Sequence, residues 1–251
     1  MQQLLHFKTI GSGKPVVFLH GFLESVKMWS TLDLASKDFQ SILIDLPGHG
    51  LSKNEDNSEA PSIEYMSNEV MLVLNYLQIT NFDIVGHSMG GYVALNIKKR
   101  FTNCNKVVLL NSNFWQDSEL KKKDRVRVAS IVLQNKNLFL KEAIPNLYLD
   151  RIKYKVEIKE LLDDALKMDE FAISYSSLAM ASREDNTSVL AFLPSDFHII
   201  QGEKDAIVPL QLMKEQIGDL AIELKIIKNV GHMSHHESAF EVSHILESIL
   251  N

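Results

Sequence analysis

The chain lacks what several protein classes require. Among its 251 residues Cys104 is the only cysteine, so no intrachain disulfide can form, which suits a reducing compartment. No run approaches the ~18 apolar residues of a bilayer span, and the opening M-Q-Q-L-L-H-F-K has no charged leader followed by an apolar stretch. An excess of positive charge is missing: the formal net charge is −6, the wrong sign for a surface that tracks nucleic-acid phosphates. With 6 prolines and 11 glycines there is no Pro/Gly-rich linker, and there is no internal repeat or low-complexity tract. The expectation is a soluble cytoplasmic protein with no membrane span and no nucleic-acid partner; its oligomeric state is not legible.

What is present is apolar and periodic. Hydrophobic residues make up 45% of the chain, and a chain of this length buries roughly 70–75% of its unfolded surface, enough for a core without disulfide or metal staples. Short runs rich in Val and Ile recur at 16–19, 42–46, 82–85, 107–110, 197–200 and 224–227. They are apolar almost throughout rather than alternating, as strands buried on both faces of a parallel sheet must be. A further strand or hairpin around 4–10 is expected at the sheet edge. Helical spacing separates several runs: Ser62 is placed to cap a helix carrying Ile63, Met66, Val70, Val73, Leu74 and Leu77 on one side, with Glu64 in its first turn. The tail repeats the pattern with Val242, Ile245, Leu246, Ile249 and Leu250. Strand–helix alternation with buried strands predicts a doubly wound α/β sheet.

Between about Ser112 and Leu190 the rhythm changes. No buried strand is evident there, only amphipathic helical patterns with thirteen basic and thirteen acidic residues, so the whole −6 belongs to the rest of the chain. The expected organisation is a core of residues 1–112 and 190–251 with a helical cap insertion at 113–189.

Gly86-His87-Ser88-Met89-Gly90 follows one apolar run directly and precedes a helix-like stretch. A nucleophile on a tight strand-to-helix turn projects clear of the backbone, and the turn brings the residues two before and two after it into contact, so both must be small. Gly86 and Gly90 meet that need, and Gly91 lets the helix approach the sheet. A serine hydroxyl needs a base. Of nine histidines, His232 is the best placed, in Asn229-Val230-Gly231-His232-Met233 just after the run 224–227, where an open α/β sheet gathers its functional groups. His87 lies in the turn itself and is expected to point away from the Ser88 hydroxyl, and His198 reads as a core or edge residue of a strand. His232, His235 and His236 have H-x-x-H-H spacing but lack the glutamate of H-E-x-x-H, and no other ligand cluster is evident, so no metal is expected.

The base needs a carboxylate to fix its tautomer. Gly202-Glu203-Lys204-Asp205-Ala206-Ile207-Val208-Pro209 follows the run 197–200. Glu203 competes, but the apolar residues beyond Asp205 favour Asp205 as the acid; after the preceding run Asn111-Ser112-Asn113 offers no carboxylate. His20-Gly21-Phe22 ends the first buried run, either as a simple strand-ending turn or, as expected here, baring the Phe22 amide to form a two-donor oxyanion hole with that of Met89. Asp45 and His49, in Asp45-Leu46-Pro47-Gly48-His49-Gly50-Leu51-Ser52, read as loop-fixing hydrogen-bonders, and Trp29 as packing or a pocket wall. Gly11-Ser12-Gly13-Lys14 is too short for a phosphate loop and is followed by Pro15.

These motifs, in this order, resemble the α/β-hydrolase family, in particular its capped, serine-nucleophile branch that includes small bacterial esterases. H-G-F at 20–22, D-L-P-G-H-G-L-S at 45–52, G-H-S-M-G at 86–90, G-E-K-D-A-I-V-P at 202–209 and V-G-H-M at 230–233 carry the resemblance across nearly the whole chain outside the insertion. It implies a mostly parallel central sheet flanked by helices, with no cofactor. It also implies hydrolysis of a small carboxylic ester or related acyl compound through Ser88, His232 and Asp205. Family members that are dehalogenases or epoxide hydrolases use an aspartate at the turn, and Ser88 speaks against both. The chain is similar also to the menaquinone-pathway enzyme that eliminates pyruvate, and to carbon–carbon bond hydrolases, which use the same triad. For the former, Arg125, Arg127, Arg151 and Arg183 are available to grip carboxylates, though surface charge is the role expected of each. Some relatives are slow-turnover ligand sensors, a third possibility.

Overall fold

The computed structural model describes residues 3–53 and 60–251. Seven strands form one sheet: β1 (Phe7–Ile10), β2 (Lys14–Leu19), β3 (Phe39–Ile44), β4 (Phe82–His87), β5 (Cys104–Leu110), β6 (Phe197–Gly202) and β7 (Glu223–Ile227). Their order is β1-β3-β2-β4-β5-β6-β7. Only β1 runs antiparallel, paired with β3 at the edge; the other pairings are parallel. All six buried runs read from the sequence became strands, and the 4–10 segment supplies the expected edge. One boundary moved. β3 ends at Ile44 rather than 46, because the Asp45 side chain turns inward to bind the following loop.

Alternation along the strands sends successive residues to opposite faces. Val17, Leu19, Ile84, Val107, Leu109 and Ile199 pack with α1 (Ile63–Tyr76) and α2 (Met89–Arg100). Val16, Phe18, Val85, Val108, Leu110 and Ile200 pack with Trp29 and with the C-terminal helix Ala239–Leu250. Trp29 therefore fills the core, its ring 5.2 Å from that of Phe18 in an edge-to-face pair. It sits on a short 3₁₀ helix, Val26–Thr31. The Ser62 hydroxyl caps α1 by accepting from the Tyr65 N–H at 3.1 Å, as the sequence predicts. Strand β7 departs from two-sided burial: Ile226 is 37% exposed, because an edge strand has a neighbour on one side only.

Between β5 and β6 run α3 (Glu119–Ala143), α4 (Lys155–Ala165), α5 (Glu170–Ala181) and α6 (Thr187–Phe192). Helix α3 is broken at Asn135 (φ −155°, ψ 70°), whose side-chain oxygen accepts the Leu138 N–H at 3.1 Å and restarts the helix as an internal N-cap. Val132, Leu140, Ile144, Tyr148, Tyr154, Ile158, Met168 and Ile173 form a third apolar cluster, and Leu23 and Met233 from the sheet's loops join it. The helical segment is thus anchored on two core loops, those following β2 and β7. The remaining helices are α7 (Leu210–Ile217), α8 (Ser234–Glu237) and α9 (Ala239–Leu250). No helix among the described residues is long and apolar enough to cross a membrane.

Candidate active site

Parallel strands deliver their carboxyl ends to one rim. There the chain after β2 carries Gly21 and Phe22, after β4 Ser88, after β5 Asn111, after β6 Asp205, and after β7 His232. Ser88 has φ 48° and ψ −114°, a left-handed conformation costly for a residue with a Cβ. Neighbouring glycines hold it there: a Cβ at Gly86 would run into the Gly90 backbone, and one at Gly90 into the Leu19 and His20 carbonyls. The turn is locked further when the Ser88 N–H donates to the Leu110 carbonyl at 3.1 Å and the Ser112 hydroxyl donates to the Ser88 carbonyl at 2.6 Å.

The three side chains singled out by their motifs meet. His232 Nε2 lies 3.1 Å from Ser88 Oγ, and His232 Nδ1 lies 2.9 Å from Asp205 Oδ2. Asp205 and His232 are buried while Ser88 is partly exposed, which leaves the hydroxyl as the accessible end of the line. An ionised carboxylate only accepts, so Nδ1 carries the hydrogen and Nε2 faces the serine with its lone pair. Five donors converge on Asp205: His232, Asn111 Nδ2 (2.9 Å) and Gln201 Nε2 (3.0 Å) at one oxygen, and the Ile207 and Val208 amides (2.8 and 2.9 Å) at the other. Burial by itself would raise its pKa, but the His232 charge and these hydrogen bonds outweigh burial and lower it. The backbone of Ile207 and Val208, rather than their apolar side chains, does the holding. Glu203 stands apart, accepting from the Asn229 amide. The Phe22 and Met89 amides have no acceptor among the described residues, so both are free to receive one.

Around this line the loops are tied by polar side chains. Asp45 accepts from the amides of Val26 (2.7 Å) and Leu51 (3.0 Å) and pairs with His6 Nδ1 (2.7 Å). His20 Nε2 accepts the Leu46 N–H at 2.9 Å, which makes Nδ1 the protonated nitrogen that donates to the Gly21 carbonyl. Burial lowers the pKa of His20, and pushes that of His49 down to about 3. Asp45 and His49 are the loop-fixing groups their motif suggested. His198 faces Glu223 at 3.0 Å on the sheet edge.

Several contributors escaped the motif reading. Asn111 appeared only as a missing carboxylate; it has φ 46° and binds both Asp205 and the Gly231 carbonyl. Gln201 directly follows the apolar run 197–200 and was not singled out. Glu237 accepts from the Gly231 amide with one oxygen and from the Leu149 amide (2.8 Å) with the other, joining the His232 loop to the helical segment. Arg183 corrects an expectation: it is buried rather than on the surface, its guanidinium 4.1 Å above the Tyr92 ring and 2.7 Å from Asp117. Arg125 shares that carboxylate at 3.2 Å. One group of potential metal ligands also exists among the described residues: Glu24, His87 and His235, all buried, with ligand atoms within 4.8 Å of one another.

A family model described as the alpha/beta hydrolase fold matches residues 14–239. The chain belongs to the α/β-hydrolase fold family. Among its relatives is an AB hydrolase superfamily protein, YisY, of Bacillus subtilis, 26% identical over 98% of this chain and 95% of its own. Another is the 2-succinyl-6-hydroxy-2,4-cyclohexadiene-1-carboxylate synthase of an Enterobacter species, 25% identical over 95% and 94%. A thermophilic esterase from Thermogutta terrifontis superposes with a TM-score of 0.89 at 26% identity, covering 98% of this chain and 94% of that one. An α/β-hydrolase core with esterase neighbours is therefore the frame in which Ser88, His232 and Asp205 stand.

Proposed function

We propose that the protein is a serine hydrolase that cleaves a small carboxylic ester or related acyl compound through an acyl-enzyme on Ser88. The observation that carries this is the continuous line Ser88 Oγ–His232–Asp205, with gaps of 3.1 and 2.9 Å, beside two unengaged backbone amides. His232 takes the Ser88 proton as Oγ attacks the acyl carbon. The Phe22 and Met89 amides receive the negative charge that develops on the carbonyl oxygen. His232 then protonates the departing alcohol, and in the second half activates water to release the acid. Asp205 keeps the imidazole in one tautomer and stabilises its charged form. Residues 113–189 serve as a cap over the rim: their apolar cluster includes Leu23, next to the oxyanion donor Phe22, and Met233, next to the base.

Elimination of pyruvate, the activity of the menaquinone-pathway enzyme to which the chain is similar, would use the same triad. It would also want free guanidinium groups, and the two most buried arginines of the segment, Arg125 and Arg183, are both taken by Asp117. Ester hydrolysis is the better reading. The test is a panel of p-nitrophenyl esters of graded chain length run beside a pyruvate-elimination assay, with wild-type protein and Ser88→Ala. Wild type is expected to turn over the short esters and Ser88→Ala to lose on the order of 10⁴–10⁶ of that rate. Near-normal turnover by Ser88→Ala, or elimination without ester turnover, would overturn the proposal.

A further inference from the structure

Behind the triad lies a second, wholly buried set of polar groups. Glu24 Oε2 accepts the Gly21 N–H at 2.6 Å and stands 2.7 Å from His87 Nδ1. The other ring nitrogen of His87, Nε2, stands 3.1 Å from the carbonyl oxygen of His232. With Glu24 ionised, as the interactions that lower its pKa require, both nitrogens of one imidazole face atoms that can only accept. A neutral ring carries one hydrogen and would turn a lone pair toward an oxygen on one side or the other. Opposite an ionised Glu24, only the imidazolium satisfies both contacts.

We propose that Glu24 and His87 form a buried carboxylate–imidazolium clip that positions the oxyanion loop and the base's loop against the nucleophile. Glu24 fixes Gly21, the residue before the Phe22 oxyanion donor; His87 is the residue before Ser88; and its far nitrogen fixes the main chain of the base itself. One ion pair thus spans the three loops whose relative placement the reaction needs to within a fraction of an ångström. Both members are positioning residues, since neither reaches the reacting atoms. Gly21 completes the device, because a Cβ there would strike the Glu24 carboxylate. The inference rests on the proposed ester chemistry for its function but not for its existence.

The electrostatics agree with the geometry. Burial opposes charge on both partners, yet the charge and hydrogen bond of Glu24 raise the His87 pKa above its ordinary value. The same interactions hold Glu24 well below the usual carboxylate range. The charged and titratable groups facing His87 are Glu24 and Asp205 together with the rings of His20, His232 and His235. His235 is driven well below its usual pKa, chiefly by burial. It stays neutral, its Nε2 3.6 Å from the second Glu24 oxygen. A divalent cation among Glu24, His87 and His235 is the rival occupant. It would have to displace the hydrogen at Nδ1 of His87, where a 2.7 Å contact to the carboxylate already fits a proton.

The experiment combines ring-nitrogen NMR of ¹⁵N-histidine protein with steady-state kinetics of Glu24→Gln, His87→Gln and the double variant. In wild type the His87 ring is expected to show the doubly protonated pattern at pH 8, and in Glu24→Gln to lose it. Each single variant is expected to lower kcat about 10- to 100-fold, as for loss of a charge-assisted hydrogen bond, with KM within about threefold. The double variant is expected to be no worse than the worse single, because the pair acts as a unit. A neutral His87 ring in wild type, wild-type kcat in a folded Glu24→Gln, or one equivalent of Zn²⁺ bound with activity lost to a chelator would each overturn the clip. Should His87→Gln fail to fold, Glu24→Gln, which keeps the side chain's shape, decides alone. If wild type turns over no ester, it is the proposed function that falls, while the ring spectrum still decides the ion pair.

Discussion

The sheet and the helical segment between β5 and β6 are held together by different means. The strands are sealed: Val17, Val85, Val107, Val108 and Leu109 have no exposed surface, and Glu24, Asp45 and Asp205 beyond their ends each accept two or more hydrogen bonds. The segment is looser in α3, though α5 buries most of its residues. Of the 25 residues of α3 only Ala129, Val132 and Leu140 are buried, while Leu120, Val126, Leu138, Ile152 and Phe171 each leave more than half of their surface in solvent. The proposed chemistry, which tolerates little displacement, sits on the sealed part, and the proposed cap is the part with fewer buried positions on its longest helix. That division explains why motifs identify a family here and leave the substrate open.

The difference is sharpest in catalysis. Asp205→Asn keeps the shape of the acid but removes the charge that stabilises the imidazolium. It is expected to lower kcat on short esters by about 10⁴, with the folded state intact by circular dichroism. A comparable loss from any exposed residue of α3 would erase the contrast. In packing, Leu109→Ala is expected to cost about 2–5 kcal/mol, read as a fall in Tm of roughly 5–15 °C. Leu138→Ala on α3, 56% exposed, is expected to stay within about 0.5 kcal/mol; equal shifts would mean the two regions are packed alike.

Acid should separate the regions more gently. All nine histidines lie outside residues 113–189, and burial keeps His20, His49 and His235 neutral, His49 down to about pH 3. Unfolded imidazoles take up protons below about pH 6.5, so there the unfolded state binds more protons than the folded one and stability falls as pH falls. Each such histidine contributes about 1.4 kcal/mol per pH unit. His87 has the opposite sign: its pKa is raised, so its contribution is complete below about pH 6.5 and is lost only as pH rises through the folded value. Denaturant titrations between pH 7.5 and 5.5 are expected to show this slope, and His49→Gln to flatten it by one histidine's share. A pH-independent stability would contradict the burial account.

The strands and the meeting of Ser88, Asp205 and His232 were legible because each leaves a local mark: a run of branched apolar residues, or a functional residue beside glycines at the end of such a run. Asp45 and His49 apart, the groups that tie the loops leave almost none. Glu24 and His87 are 63 residues apart and meet only once β2 and β4 pair; Asn111 reaches Asp205 across 94 residues. Arg183 looked like surface charge because its partner Asp117 is 66 residues upstream. A lone acid in an apolar stretch, as in Phe22-Leu23-Glu24-Ser25-Val26, was the one available hint that a buried charge needed a partner.

Reaction of the purified protein with a fluorophosphonate probe, followed by intact mass and peptide mapping, tests the central claim most directly. One adduct per chain is expected, on Ser88, absent from Ser88→Ala and formed far more slowly in His232→Ala. A protein that stays unlabelled while hydrolysing esters, or an adduct on any other residue, would contradict the account.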